Sequence, residues 1–295
     1  MPATFDGCGT ALVTPFTAEG AVDEAAVRRL AARQIDGGVH FLCPCGTTGE
    51  SPTLSRHEQR QVVEAVVETA SGRVPVLAGA GGYDTRSVAE TAAEMERAGA
   101  DGLLSVTPYY NRPTPEGLYA HYRALTEATG LPIVVYNVPG RTGCNVDVDT
   151  LCRLADLPTI VGVKEASANL TQMCEVCHAT PDGFSVLSGD DLFTLPLMSV
   201  GGVGVISVAS NEVPAAMAQL VEAARDGALD RARTIHDRLL PLMQVNFVES
   251  NPIAVKAAMA HLGLLDLHYR LPMLPPRPES LAKIVGILET LGLSR

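Results

Sequence analysis

Between residues 8 and 208 a short apolar run recurs eight times, and stretches with the period of a helix separate the repeats. The runs are 8–14 (CGTALVT), 39–43 (VHFLC), 74–78 (VPVLA), 102–106 (GLLSV), 132–136 (PIVVY), 160–164 (IVGVK), 185–188 (SVLS) and 203–208 (VGVISV). They do not alternate strictly between apolar and polar residues, so they read as strands buried on both faces, as in a parallel sheet. Helical periodicity fills 23–36, 57–70, 86–98, 116–128, 147–155, 169–178 and 190–199. The first of these opens on Asp23 and Glu24, which suit a helix N-terminus, and closes on Gly37 and Gly38.

Eight strand–helix units of this size fit a (β/α)8 TIM barrel. An open, doubly wound sheet is the competing architecture, but no G-x-G-x-x-G follows the first strand. The glycines at 79–82 and 201–204 read as tight turns or barrel corners. From residue 212 onward no further strand pattern occurs, and 213–225, 228–245, 252–262 and 278–292 read as helices. The expected organisation is a catalytic barrel over 1–225 and a C-terminal helical extension over 226–295. Periodicity does not choose between an extension packed on its own barrel and one packed on another subunit.

The chain has 295 residues, 46% of them hydrophobic, and a formal net charge of -11. That balance argues against nucleic acid or an anionic membrane surface as partner. No run approaches the ~18 apolar residues of a membrane span. The first residues show no basic start followed by a long apolar stretch, so a cytoplasmic protein is expected. The seven cysteines read as reduced thiols. Cys43 and Cys45 have no neighbouring ligand set for a metal. Cys174-Glu175-Val176-Cys177-His178 matches a haem-attachment string but falls within an amphipathic helix.

Only three lysines occur, Lys164, Lys256 and Lys283, and Lys164 ends a buried-strand pattern. An amine there is costly as a cation, and a neutral amine attacks carbonyls to give a Schiff base. The plainer reading is an amine that reaches water or pairs with Glu165. In a (β/α)8 barrel the chemistry lies at the C-terminal strand ends. Those ends carry Thr14, the GTTGES segment 46–51, Tyr109 and Tyr110, Tyr136 to Gly143, Lys164, Ser188 to Asp191, and Ile206-Ser207. Tyrosine hydroxyls relay protons, and Thr48 with neighbouring amides can hold a carboxylate. Arg141 can hold another through a bidentate pair. Each has a structural alternative: Tyr136 as a core aromatic, GTTG as a capped turn, Arg141 paired with Asp147.

Taken together, GTTGES, TPYYNRP, YNVPGRTG, VGVKEAS, LSGDD, GGVGVISV and NPIAVKAAM resemble the dihydrodipicolinate (4-hydroxy-tetrahydrodipicolinate) synthase family of pyruvate-dependent class I aldolases. The resemblance runs from about residue 4 to the end. It implies a lyase of the diaminopimelate route to lysine that condenses pyruvate with aspartate semialdehyde. In that reading Lys164 forms the imine, Tyr136 protonates intermediates, and Thr47 links Tyr136 to Tyr110. Thr48 binds the pyruvate carboxylate, Arg141 binds the semialdehyde, and carbonyls of Gly189 and Ile206 line the pocket. The resemblance also implies no metal or organic cofactor, and a homotetramer of tight dimers in which Tyr110 enters the neighbouring subunit's site. Related aldolases act on keto-deoxy sugar acids or N-acetylneuraminate; Arg141 and TPYYN argue for the synthase. A non-catalytic barrel would be expected to lack Lys164 or the tyrosines. Family members sensitive to lysine usually carry histidine or an aromatic at the position of Arg56 and glutamate at that of Ser87, so weak or absent lysine feedback is expected.

Overall fold

The computed structural model describes residues 5–293. In chain order its elements are β1 (Gly7–Ala11), α1 (Glu24–Asp36), β2 (Phe41–Cys43), α2 (Arg56–Ala70), β3 (Leu77–Gly79), α3 (Thr85–Arg97), β4 (Gly102–Val106), α4 (Pro115–Ala128), β5 (Ile133–Asn137), α5 (Pro139–Thr142) and α6 (Val148–Ala155). They continue with β6 (Ile160–Glu165), α7 (Leu170–Ala179), β7 (Ser185–Ser188), α8 (Thr194–Ser199), β8 (Gly204–Ser207), α9 (Pro214–Arg225), α10 (Leu229–Val245), α11 (Ile253–His261) and α12 (Pro278–Thr290). The eight strands pair in parallel in the order β2-β1-β8-β7-β6-β5-β4-β3. A bridge between Leu42 and Val76 brings β2 against β3 and closes the (β/α)8 barrel.

Local chemistry accounts for the boundaries. Asp23 caps α1 by accepting from the Ala26 amide, and Ser55 and Glu58 form a reciprocal capping box on α2. The third strand is shorter than the apolar run 74–78 suggests and begins at Leu77. Pro75 offers no N–H for a ladder, so its carbonyl alone serves, accepting from the Leu42 amide at 3.0 Å. The single turn α5 and the 3-10 turns at Ser51–Thr53 and Ala209–Asn211 are too short to leave a period in the sequence.

Strand alternation sorts the side chains into two layers. Phe41, Cys43, Leu77, Leu104, Val134, Tyr136, Leu187 and Ile206 fill the barrel interior. Their neighbours, such as Leu42, Leu103, Val135 and Val163, face the surrounding helices. Gly9 is required in this packing, because a Cβ there would lie 2.1 Å from the Phe41 ring. Between β5 and β6 the register shifts by one residue after Ile133, so that Val134 faces Gly162 and Tyr136 faces Lys164. Without that bulge at Val161, Val163 would sit opposite Tyr136.

The helical extension packs on its own barrel. Leu239, Leu242, Met243, Ala254 and Ile284 belong to the same hydrophobic cluster as the barrel strands and helices. A polar clamp reinforces it. Lys256, fully buried on α11, donates to Glu50 Oε1 at 2.6 Å and to the Thr14 carbonyl at 3.1 Å. Its ammonium also lies over the Phe16 and Tyr269 rings, 4.5 and 5.0 Å from their centroids. Burial pushes the Lys256 pKa down, and Glu50 opposes that shift. Arg270 donates to the carbonyls of Gly20 and Thr53 and pairs with Glu58, the capping-box residue of α2. Glu58 is held at a pKa of about 2, chiefly by that arginine.

Two predictions follow from buried groups. Lys256→Met leaves Glu50 as an uncompensated buried charge and is expected to lower the unfolding free energy by about 3–5 kcal/mol. Lys256→Met/Glu50→Gln removes both charges and should recover most of that loss in urea titrations. His121, on α4, is 4% exposed, lies 2.9 Å from Thr85 Oγ1 through Nδ1 and has no partner for Nε2. Burial lowers its pKa from 6.5 to about 4. Above the unfolded value neither state is protonated. As pH falls from 6.5 toward 4, the unfolded chain binds a proton that the folded chain excludes, so stability is lost. His121→Gln should therefore flatten the stability profile by about 2 kcal/mol between pH 7 and pH 5.

Candidate active site

The C-terminal ends of the strands bring Lys164, Tyr136, Thr47, Thr48, Arg141, Gly189 and Ile206 to one end of the barrel. Lys164 points into the interior from β6 and is 5% exposed. Among the described residues its amine has no hydrogen-bond acceptor. Its nearest polarisable neighbour is the Tyr136 ring, whose centroid lies 4.3 Å from Nζ. Gly189 leaves room for this side chain: a Cβ there would come within 2.5 Å of Ala166 Cβ and 3.2 Å of Lys164 Cε. Beneath it Cys43 is inert, because burial pushes its thiol up to about 12 despite the pull of Lys164. Asp190 lies within electrostatic reach; burial raises its pKa and Lys164 lowers it.

Glu165 does not pair with Lys164. Strand parity turns it outward, where it is fully buried and accepts from Asn137 Nδ2 at 3.0 Å, Gln172 Nε2 at 3.2 Å and the Ser167 amide at 2.6 Å. Asn137 also donates to Asn145 Oδ1 at 3.0 Å and accepts from the Val146 amide at 3.0 Å. This network ties the ends of β5 and β6 to the segment after Arg141. It satisfies the buried carboxylate without a counter-ion.

Tyr136, Thr47, Val138, Arg141 and Thr142 line a cleft of about 520 Å³. Lys164 is not part of its wall and meets it through Tyr136. Arg141 is exposed and makes no ion pair among the described residues, with Asp147 occupied instead in capping α6. No hydrogen bond joins Thr47 to Tyr136 or to Tyr110 within the chain. Tyr110 stands apart from the cleft, 89% exposed and with φ 70°. Ile206 is fully buried on β8, paired with Gly9 of β1.

Thr48 lies behind the cleft wall at 3% exposure. Its Oγ1 accepts from Asn251 Nδ2 at 2.9 Å. The amides of Gly49, Glu50 and Ser51 close turns onto Gly46 and Thr47. Those of Thr47 and Thr48 donate to nothing among the described residues, so the loop presents adjacent N–H groups suited to an anion. Sequence reasoning placed Glu50 at this strand end without a role and did not place Asn251 or Lys256 in the region. A signal existed: from Ile253 to Ala260 α11 is apolar apart from Lys256, the pattern of a buried helix holding a paired charge.

The far end of the cleft is lined by Ser51, Pro52, Arg56, Gln59, Tyr83, Ser87 and Tyr109. There Arg56 donates to Ser87 Oγ at 2.9 Å and pairs with Glu90 at 2.5 Å. Tyr83 and Tyr109 meet edge to face, 5.4 Å between centroids. The Cys174 to His178 stretch is helical, within α7, and no group of three or more His, Cys, Asp or Glu among the described residues could hold a metal ion. No helix among them is long and apolar enough to cross a membrane.

A family model described as the Dihydrodipicolinate synthetase family matches residues 4–291. The chain belongs to that family. It is 50% identical over 288 residues to the 4-hydroxy-tetrahydrodipicolinate synthase of Koribacter versatilis, an alignment covering 97% of this chain and 96% of the relative. Among solved structures it is similar to dihydrodipicolinate synthase from Aquifex aeolicus, with a TM-score of 0.96, 43% identity and coverage of 98% and 99% of the two chains. It is similar also to the enzyme from Cyanidioschyzon merolae with lysine bound, with a TM-score of 0.95, 39% identity and coverage of 98% and 99%.

Proposed function

We propose that this lyase condenses pyruvate with L-aspartate 4-semialdehyde through a Schiff base on Lys164, as a 4-hydroxy-tetrahydrodipicolinate synthase. The observation that carries the reading is the state of Lys164: a nearly buried amine with no acceptor, held against Tyr136 at the end of β6. Its lone pair attacks the ketone carbon of pyruvate, and loss of water leaves the imine. Loss of a methyl proton gives the enamine, whose carbon adds to the aldehyde of the second substrate. The amino group of that substrate then attacks the imine carbon, closes the ring and releases Lys164. Tyr136 protonates and positions the intermediates, with Thr47 beside it in the cleft. Thr48 and the amides of the 46–50 loop hold the pyruvate carboxylate, and Arg141, free of any ion pair, takes the carboxylate of the semialdehyde. The carbonyls of Gly189 and Ile206 complete the pocket. The lysine itself is the electron sink, so no metal or organic cofactor is called for.

The exposure of Tyr110 supports a site shared between subunits. In this reading its hydroxyl completes the proton path of a neighbouring subunit's Thr47 and Tyr136, within a homotetramer built from tight dimers that works in the cytoplasm.

Borohydride reduction in the presence of pyruvate, followed by mass mapping, is expected to label Lys164 alone, with condensation measured only for the semialdehyde. Label at Lys256 or Lys283, or turnover of a keto-deoxy sugar acid with none of the semialdehyde, would reverse the assignment.

The Cyanidioschyzon enzyme has been solved with lysine bound; in this chain the far end of the cleft offers an incoming α-ammonium the guanidinium of Arg56, already bonded to Ser87 and Glu90. Like charge and an occupied hydroxyl both oppose an amino-acid effector. Initial rates are expected to change little in millimolar lysine. Strong inhibition would overturn this expectation.

A further inference from the structure

We propose that Asn251, in the turn just before α11 in the C-terminal extension, is a positioning residue for pyruvate recognition, acting through Thr48. This rests on the reading above, in which the 46–50 loop holds the pyruvate carboxylate. Thr48 is a single hydroxyl with one proton to give. In the structure Asn251 Nδ2 donates to its oxygen at 2.9 Å. That contact fills an acceptor position and leaves the Thr48 O–H as a donor, with no acceptor among the described residues. It therefore points the same way chemically as the unmatched amides of Thr47 and Thr48: three donors on one short loop, complementary to one carboxylate.

The pair is buried, with the Asn251 amide turning Nδ2 to Thr48 and leaving Oδ1 without a partner among the described residues. Thr48 is 3% and Asn251 5% exposed, so water does not compete for the contact. The segment that carries Asn251 is anchored further along the chain. Five residues on, Lys256 grips Glu50, two residues beyond Thr48, at 2.6 Å. Between those contacts Thr14 Oγ1 donates to the Gly49 carbonyl at 2.7 Å. Gly49 leaves little room for a side chain, since its Cβ would stand 3.1 Å from the Leu12 carbonyl oxygen and 3.2 Å from the Cys45 nitrogen. One short segment of the extension thus bonds to two positions of one loop. The outer contact fixes where the loop lies and the inner one sets which way its hydroxyl points.

The test is the separation of two second-order constants. Asn251→Ala is expected to lower kcat/KM for pyruvate about tenfold, the effect of loosening one hydrogen bond to a charged group, and to leave kcat/KM for the semialdehyde within about twofold. Thr48→Val should show the same selectivity, and Asn251→Ala/Thr48→Val should be no worse than Thr48→Val alone, because Asn251 acts only through that hydroxyl. Asn251→Asp, nearly isosteric, supplies a second variant if the alanine fails to fold. Its carboxylate accepts a hydrogen bond from the Thr48 hydroxyl, so the same selective fall is expected in the folded variant. Equal loss for both substrates, or additive losses in the double variant, would overturn the inference. Borohydride trapping separates this from the underlying mechanism. Absence of pyruvate-dependent label at Lys164 in the unaltered protein refutes the mechanism. Label there with the same half-saturating pyruvate in Asn251→Ala and Asn251→Asp refutes the positioning role alone.

Discussion

The ion pair between Lys256 and Glu50 is the contact on which the mouth of this barrel depends. Glu50 has φ 52°, in the left-handed region, which costs a residue with a side chain roughly 1–2 kcal/mol. It stays there because one carboxylate oxygen receives the Lys256 ammonium at 2.6 Å and the other the Arg270 amide at 3.3 Å. Arg270 in turn grips Glu58 at the start of α2. The loop carrying Thr47 and Thr48 is therefore held by residues that come from neither β2 nor α2. A loop set by its own short connection would have water, rather than a buried ammonium, as the partner of its carboxylate.

The same chain contains a second buried amine treated in the opposite way. Lys256 has a carboxylate and a carbonyl; Lys164 has an aromatic face and, among the described residues, no hydrogen-bond acceptor. The difference comes from strand geometry. Glu165 follows Lys164 directly, and alternation sends it to the other side of the sheet, where Asn137, Gln172 and the Ser167 amide satisfy it. A slip of one residue would bring the carboxylate into the barrel and the amine out of it. The bulge at Val161 sets the remaining coordinate by placing Tyr136, rather than a valine, against Lys164 on the adjacent strand.

Much of this was legible before any coordinates. Eight apolar runs without alternation and the helices between them specify the barrel because both depend on local periodicity. Collecting the residues at strand ends then gathered Lys164, Tyr136, Thr47 and Arg141 at one end of the barrel. What the periodicity hid was non-local. Glu165 beside Lys164 invites an ion pair, and only sheet parity forbids it. Pro75 shortened β3 by removing a donor that an apolar count does not weigh. The contacts of Asn251 and Lys256 lie 203 and 206 residues from their partners. Separations of that size leave no pattern within a single chain, although the resemblance had already included the NPIAVKAAM stretch without giving it a role.

The distance from Glu50 to Lys256 also has a meaning in time. On a ribosome adding roughly 5–20 residues per second, a gap of 206 residues is about 10–40 s. Within that interval β3 to β8 join the two strands already made, and the first of them are free to pair. Glu50 meanwhile has no ammonium to meet. The loop that presents Thr48 is written near the beginning of the message and completed almost at its end. A nascent chain halted after its eighth strand would hold the barrel's full set of strands and still lack a finished mouth.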